Sequence, residues 1–127
     1  MSYTVEKMAG IPVILVQLHA DFNAHTEAQE AFEASGRLLS EQTEPMFTIW
    51  DARQSASDLQ GIMEGANVSR TNVTHPNERG SIVITGDPLV RLAMEGMNSE
   101  VYGNVVIPVF EDLDEALAYV HQQTGRA

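Results

Sequence analysis

The sequence predicts a single α/β domain in which a mostly parallel sheet is flanked by helices. Two observations carry this prediction. Apolar, β-rich runs alternate with segments of helical periodicity, and the chain opens with two β-rich runs separated by a glycine turn. Strands that alternate with single helices need crossover connections, which join parallel strands. The predicted order is ββαβαβαβα, with one antiparallel strand at the start, and a length of 127 residues suits one domain spanning 1–127.

The first two predicted strands form a hairpin. Residues 3–6 alternate, Ala9 and Gly10 are turn residues, and residues 11–18 form a long β-rich run. That run is apolar on consecutive positions, which predicts a strand buried on both faces. A helix follows, for which Thr26 and Gln29 are the expected capping-box pair, and Pro45 ends it.

The sequence of the middle of the chain predicts a strand, a helix, a loop and a second strand, in that order. Residues 46–50 form the strand, which closes on Asp51, and a second helix begins near Ser57 with Gln60 as its capping partner. Residues 72–80 are polar and contain Pro76 and Gly80, so they are expected to be a loop. Residues 81–85 then form the next strand.

The last third predicts helix, strand and helix. Asp87 and Pro88 cap and open a helix whose inner side is expected to hold Leu89, Leu92, Ala93 and Met97. Residues 104–110 form a strand in which Pro108 favours an edge position. Asp112 and Glu115 cap a final helix with the apolar stripe Leu113, Ala116, Leu117 and Val120. An exposed edge at the last strand would let two copies pair as a homodimer.

Composition excludes several classes of function. Eighteen acidic residues oppose seven basic ones, so the net charge is −11 and no Lys/Arg cluster is available to neutralise phosphates. We therefore expect no binding to nucleic acid. No apolar run approaches the roughly 20 residues needed to cross a bilayer, so we expect no membrane insertion. There is no cysteine, and the N-terminus lacks the pattern of a secretory signal, which together favour a cytoplasmic protein.

In open α/β sheets, ligands and partners bind beyond the carboxyl ends of the strands. The most informative loop there is at residues 51–57, where Asp51 is followed by Ser55 and Ser57 just before a predicted helix. A helix N-terminus favours an anion, so a phosphate on either serine would be stabilised. The alternative is that Ser57 only caps the helix and Ser55 is an ordinary loop residue.

Other chemistry has weaker support. His19, Asp21 and His25 lie in one loop, with Asp51 expected nearby, which is a set of metal-ligand types without a specific spacing. A triad of Ser55, His19 and Asp51 lacks the nucleophile elbow of the Gly-x-Ser-x-Gly type. No glycine-rich phosphate loop is present. We therefore predict no metal, no cofactor and no catalytic site.

The pattern of elements resembles the STAS or SpoIIAA-like superfamily. The resemblance rests on the hairpin start, on the strand ending in Asp51 before a serine-bearing helix start, and on segments 82–91 and 105–117. It implies an α/β domain that acts through protein contacts or small-ligand sensing, with a phosphorylated serine in anti-sigma-factor antagonists. Asp51 matches the start of the family motif, and Ser55 or Ser57 matches its serine, but no glycine follows.

Two functional hypotheses remain. The first is a non-enzymatic regulatory or protein-interaction module whose contact face is the loop with Asp51, Ser55 and Ser57. The second is a small-molecule or lipid-binding domain with a pocket between helices and sheet. The residues expected to line that pocket are Trp50, Phe22 and Phe110.

Overall fold

A computed structural model describes residues 2–54, 77–97 and 108–125 of the chain. Within them, five strands form one sheet in the order β1-β2-β3-β4-β5, with β1 antiparallel to β2 and every other pair parallel. The strands are β1 (Tyr3–Lys7), β2 (Val13–Leu18), β3 (Met46–Asp51), β4 (Glu78–Ile84) and β5 (Val109–Phe110). The helices are α1 (Ala24–Ser40), α2 (Pro88–Met97) and α3 (Leu113–Thr124). The predicted mixed α/β sheet is confirmed.

The central strands bury both of their faces. On one face, Val13, Phe47 and Ile82 belong to a cluster that packs against Ala116 and Val120 of α3. On the other face, Ile14 and Met46 pack against Leu39 of α1. Each strand has side chains on alternate faces, so a run that is apolar on consecutive positions supplies both clusters, as the run at residues 11–18 predicts.

The parallel register decides which face each side chain occupies. Trp50 is paired with Val16 on β2 and with Val83 on β4. The next residue, Asp51, is paired with Ile84, which is in turn paired with Phe110. Partners across a parallel ladder share a face, and so Trp50 lies on the α1 side of the sheet while Asp51 and Phe110 lie on the α3 side.

Helix α1 begins earlier than its sequence predicts. The expected capping pair of Thr26 and Gln29 is wrong, because the helix starts at Ala24. The carbonyl of Asn23 accepts hydrogen bonds from the N–H groups of Thr26 (3.3 Å) and Glu27 (2.8 Å). The Glu27 carboxylate in turn accepts from the N–H of Asn23 at 2.9 Å. Asparagine is as good a cap as threonine, and the reciprocal bond to Glu27 favours this start.

Strand β4 also begins earlier than expected, since its residues from Glu78 to Gly80 fall in the predicted loop. Gly80 does not end the strand. A Cβ at this position would lie 3.2 Å from Cε1 of Phe47, so glycine is used here to let β4 approach that ring. Residues 72–76 of the predicted loop and the predicted helix from Ser57 lie outside the described residues.

Helix α2 begins as predicted but presents a different face to the core. The Asp87 carboxylate accepts a hydrogen bond from the N–H of Leu89 at 2.9 Å, as expected of a cap. The prediction that Leu89 and Leu92 face inwards is wrong, because they are 39% and 66% exposed while Val90 is buried. The side chains of Ala93 and Met97 lie outside the described residues.

The strand predicted at residues 104–110 is described only in part: β5 is Val109–Phe110, Pro108 directly precedes it, and residues 104–107 lie outside the described residues. Among the described strands, β5 is at an edge of the sheet, the position that Pro108 favours. The Asp112 carboxylate accepts from the N–H of Glu115 at 2.8 Å, which caps α3. Gly125 ends that helix with a φ of 72°, a conformation that glycine adopts without strain. No helix in the described parts of the chain is long and apolar enough to cross a membrane.

One buried hydroxyl predicts a stabilising substitution. Thr48 is 1% exposed, and its Oγ1 has no hydrogen-bond partner among the described residues. A buried hydroxyl without a partner destabilises the folded state. We expect Thr48→Val, which keeps the shape of the side chain, to raise the free energy of unfolding by about 1 kcal/mol. Urea denaturation would measure the change.

The matched control is Thr43→Val, since Thr43 is exposed in the turn before β3. This change should leave the urea midpoint nearly unchanged. A Thr48→Val protein that is less stable than the wild type would mean that the hydroxyl is satisfied in solution.

Candidate functional site

The carboxyl ends of four parallel strands meet at one edge of the sheet. Strands β2, β3, β4 and β5 end at Leu18, Asp51, Ile84 and Phe110. We call these strand ends, with the loops that follow them, the strand-end face. The described polar residues that belong to it are His19, Asp21, Asn23, Asp51, Arg53, Gln54, Thr85, Asp87, Glu111 and Asp112.

Asp51 is the buried charge of this face, at 6% exposure, and Arg53 holds both of its carboxylate oxygens. Arg53 donates from Nε to Oδ1 at 2.9 Å and from Nη2 to Oδ2 at 2.7 Å. The Arg53 backbone N–H also donates to Oδ1, at 3.2 Å. An aspartate that bonds the N–H two residues on forms a common turn. The short separation between Asp51 and Arg53 therefore allows one loop to make all three contacts.

The electrostatics of this pair favour the charged forms. Burial alone raises the pKa of Asp51, but the hydrogen bonds from Arg53 and its positive charge outweigh burial, so the pKa lies below its usual value. The hydrogen bond to Asp51 raises the pKa of Arg53, and the negative charges of Asp112 and Asp114 add to this effect. The pair therefore stays ionised, and its geometry fixes the start of the loop.

His19 links the loop after β2 to the loop after β3. Its Nδ1 lies 3.3 Å from Oε1 of Gln54, within hydrogen-bond distance. Its positive form also lowers the pKa of Asp51, although less than Arg53 does. The two loops that topology predicts to be neighbours are therefore adjacent, and His19 is near Asp51 as the metal and triad hypotheses require.

The remaining parts of those two hypotheses do not come together. Asp21 is exposed, and the side chain of His25 and all of Ser55 lie outside the described residues. Among the residues that the structure describes, no group of three metal-ligating side chains could hold an ion. Both oxygens of Asp51 accept hydrogen bonds from Arg53, so this carboxylate is already engaged in an ion pair within its own loop.

Ser55 and Ser57, the predicted phosphate acceptors, also lie outside the described residues. The described part of their loop ends at Gln54. What the structure establishes is the position of the residues immediately before them, Asp51 and Arg53, at the carboxyl end of β3.

The three aromatic residues expected to line a pocket lie in different places. Trp50 packs against Phe32 of α1, with ring centroids 4.8 Å apart. Phe22 makes an edge contact with Tyr3, at 6.2 Å. Phe110 packs against Tyr119 of α3 at 5.6 Å. These contacts and the sheet register put Trp50 and Phe110 on opposite faces of the sheet, so the two rings cannot line one cavity.

The exposed leucines of α2 are a feature that the sequence did not predict. Leu89 and Leu92 are three residues apart, so they share one side of the helix, and both are exposed. Arg91 on the same helix lies 3.8 Å from the Glu111 carboxylate, which places α2 beside the end of β5. The sequence shows apolar residues on two sides of α2, namely Val90 and the leucines, and periodicity alone does not choose between them.

Comparison with solved structures defines the class of fold. The chain is similar to an uncharacterized protein of the DUF3478 family with a SpoIIAA-like fold from Shewanella loihica, with a TM-score of 0.61 and 12% identity over 93% of this chain and 91% of that one. It is also similar to an anti-sigma factor antagonist from Mycobacterium paratuberculosis, with a TM-score of 0.58 and 19% identity over 94% and 92% of the two chains. The chain therefore has a SpoIIAA-like fold.

Sequence comparisons add nothing to this result. No family model matches the chain, and no curated protein matches it. The likeness to the two solved structures lies in the fold.

The ion pair at the strand-end face predicts a pH-dependent loss of stability. We expect Arg53→Gln to lower the free energy of unfolding by about 1 kcal/mol at neutral pH, a value that allows for the partial exposure of the guanidinium. Because the folded pKa of Asp51 lies below its unfolded value, the stabilisation is complete above the unfolded pKa and is lost as the pH falls through the folded pKa. The difference between wild type and variant should therefore shrink in acid.

Urea denaturation at a series of pH values would measure this difference. The control is Arg91→Gln, which removes the same charge from a pair that is exposed and 3.8 Å apart, and which should change stability little. A difference for Arg53→Gln that stays constant from neutral to acidic pH would contradict the role assigned to Asp51.

Proposed function

We propose that this chain is a non-enzymatic regulatory module that acts by binding another protein. The proposed contact face is the loop with Asp51, Ser55 and Ser57, together with the exposed side of α2. The fold supports this function, since one of its structural neighbours is an anti-sigma factor antagonist and so acts on another protein. At 19% identity the likeness is one of fold, and the choice of surface rests on the contacts of this chain.

The observation that carries the proposal is the pair of exposed leucines beside the strand-end face. Leu92 keeps 66% of its surface exposed although leucine is normally buried. The contact between Arg91 and Glu111 brings this helix to the end of β5, and Asp112 and Asp114 in turn act electrostatically on Arg53. An apolar centre with a charged surround is the composition of a protein interface.

The ion pair of Asp51 and Arg53 supports binding rather than catalysis. Each oxygen of the carboxylate accepts a hydrogen bond from the guanidinium, which is the geometry of a structural clamp. The clamp holds the first residues of the loop in one conformation before a partner arrives. A preformed loop loses less conformational entropy on binding than a mobile one.

The charge of the chain specifies the kind of partner. With a net charge of −11, the molecule attracts proteins that carry a basic rim and repels acidic ones. The apolar part of the partner would meet Leu89 and Leu92, and its basic residues would meet Glu111, Asp112 and Asp114. Nucleic acid does not fit this surface, because its phosphates would add negative charge to an acidic molecule.

A phosphate on Ser55 or Ser57 is the regulatory part of the proposal. Ser55 is two residues after Arg53 in the sequence, so a phosphate there could reach the guanidinium. A phosphate carries more charge than a carboxylate and binds arginine strongly. It would compete with Asp51 for Arg53, and so change the loop that the partner contacts.

Substitution of the exposed leucine tests the contact face. We expect a tagged Leu92→Asp protein expressed in its native host to lose a partner that co-purifies with the wild type, because a charge replaces an apolar contact. The control is Ala118→Asp, which places the same charge at an exposed position of α3. The readout is the ratio of captured partner in quantitative mass spectrometry, with folding checked by circular dichroism. Equal capture of the partner by all three proteins would mean that α2 is not part of the interface.

The native mass spectrum of the same wild-type protein tests regulation. We expect a fraction of the molecules to carry one added phosphate, which fragmentation maps to Ser55 or Ser57. The matched variants are Ser55→Ala and Ser57→Ala, of which the correct one abolishes the added mass. If the protein carries no phosphate in any growth condition, the proposed regulation by phosphorylation is wrong. A small molecule that stays bound would instead favour the ligand-binding hypothesis.

A further inference from the structure

The outer edge of β1 is a second surface that could bind a partner, because backbone N–H and C=O groups point outwards along it. Strand β1 is the first in the sheet order, so it has a neighbour on one side only among the described strands. The N–H of His19 donates to the carbonyl of Ser2, and the N–H of Met8 donates to the carbonyl of Val13, both at 2.9 Å. In an antiparallel ladder the bonded residues alternate, so even-numbered residues of β1 bond to β2. The odd-numbered residues, whose backbone groups point away from the sheet, are Tyr3, Val5 and Lys7.

These outward groups form a template for another strand. No described residue bonds to the backbone N–H or C=O groups of Tyr3, Val5 or Lys7. An edge of this kind pairs with a further strand unless a charge or a bulge blocks it. The opposite edge of the described sheet is shorter. The described part of β5 is the two residues Val109 and Phe110, whereas β1 has five residues.

The sequence of β1 is complementary to itself. If two copies pair antiparallel about Val5, the two Val5 residues face each other and Tyr3 faces Lys7 of the second copy. In this register the residues with outward backbone groups lie opposite one another, and each such pair of residues exchanges two hydrogen bonds. On the other face of the strand, Thr4 lies opposite Glu6 of the second copy, where its hydroxyl can donate to the carboxylate.

Charge complementarity favours a second copy over any other strand. The hydroxyl of Tyr3 donates to Oε1 of Glu30 at 2.7 Å, and Ser2 donates to Glu27 of the same helix. The Tyr3 end of the edge therefore carries two carboxylates, with the positive charge of Arg37 also acting on Tyr3, while the other end carries Lys7, the only lysine of the chain. Antiparallel pairing brings each basic end to an acidic end, and two-fold symmetry makes the contact twice.

The side chains meet on the same face of the sheet. Val5 packs against the cluster that includes Leu39 of α1, and Tyr3 bonds to Glu30 of α1. Lys7 follows by the alternation of the strand, so Lys7 of the second copy arrives on the face that holds Glu30. The Lys7 side chain is exposed and its Nζ bonds to the nearby carbonyl of Met8 at 3.2 Å, a contact that it can exchange.

We propose that two copies of this chain associate through antiparallel β1 strands, with Lys7 of each copy bound to Glu30 of the other. The two sheets become one continuous sheet across a two-fold axis at Val5. This proposal goes beyond the proposed function and does not depend on it, because β1 is at the opposite end of the strand order from β5 and none of its residues belongs to the strand-end face.

Analytical ultracentrifugation of the full chain, from micromolar to submillimolar concentration, tests the proposal. We expect a reversible dimer that weakens as salt is added. Lys7→Glu should raise the dissociation constant about tenfold, because two exposed ion pairs are lost at once. The double variant Lys7→Glu with Glu30→Lys should restore dimerisation, since the exchanged charges meet again across the axis.

Two further variants distinguish pairing at β1 from a general effect of net charge and from association through another surface. Arg91→Glu makes the same change of net charge on α2 and should leave the dissociation constant unchanged. Val5→Pro removes an outward N–H without breaking a bond to β2, so it should weaken the dimer while the fold, checked by circular dichroism, is kept. A wild-type monomer at all concentrations, an equal effect of Arg91→Glu, or a double variant that does not recover would each overturn the proposal. If the wild type stays monomeric, the role of Lys7 would instead be to prevent this edge from pairing with another strand.

Discussion

The burial of the central strands on both faces is the constraint on which the rest of this structure depends. Residues such as Val13 and Ile14 are adjacent in sequence, both have no exposed surface, and they belong to different core clusters. A sheet with two apolar faces needs helices on both sides. Helix α1 connects β2 to β3, α2 lies between β4 and β5 in the sequence, and the parallel order brings the ends of β2 to β5 to one edge. The position of the strand-end face is therefore a consequence of the core.

What that face can do depends on how its charges are already paired. Asp51 is buried by the same packing that closes the core, and a buried carboxylate without a partner would destabilise the fold. Arg53 supplies the partner from two residues away. The ion pair therefore has a structural role, and the exposed groups around it, with Leu89 and Leu92, make up the proposed contact face.

The sequence predicts an element of this fold well where one local interaction determines its structure. It predicts less well where contacts with residues distant in the sequence determine it. The Asp112 cap depends on backbone chemistry and is found as predicted, and the strand that follows Pro108 is at an edge among the described strands. Gly80 is expected in a loop because nothing in the sequence shows that the Phe47 ring approaches this position so closely that a Cβ would lie 3.2 Å from it. The same limit applies to the site. The adjacency of His19 and the loop after β3 follows from topology, but the separation of Trp50 and Phe110 depends on the register of the sheet.

The two proposed surfaces are compatible because they use different parts of the sheet. A two-fold axis at Val5 reverses the strand direction between copies, so the strand-end faces of a dimer point to opposite edges of the combined sheet. Neither face is covered by the pairing of β1. One dimer therefore presents two separate contact faces, which would raise the effective affinity for a partner that is itself dimeric or densely arrayed. Loss of the dimer would then weaken capture of such a partner without changing the affinity of one face, whereas a change at Leu92 would weaken both.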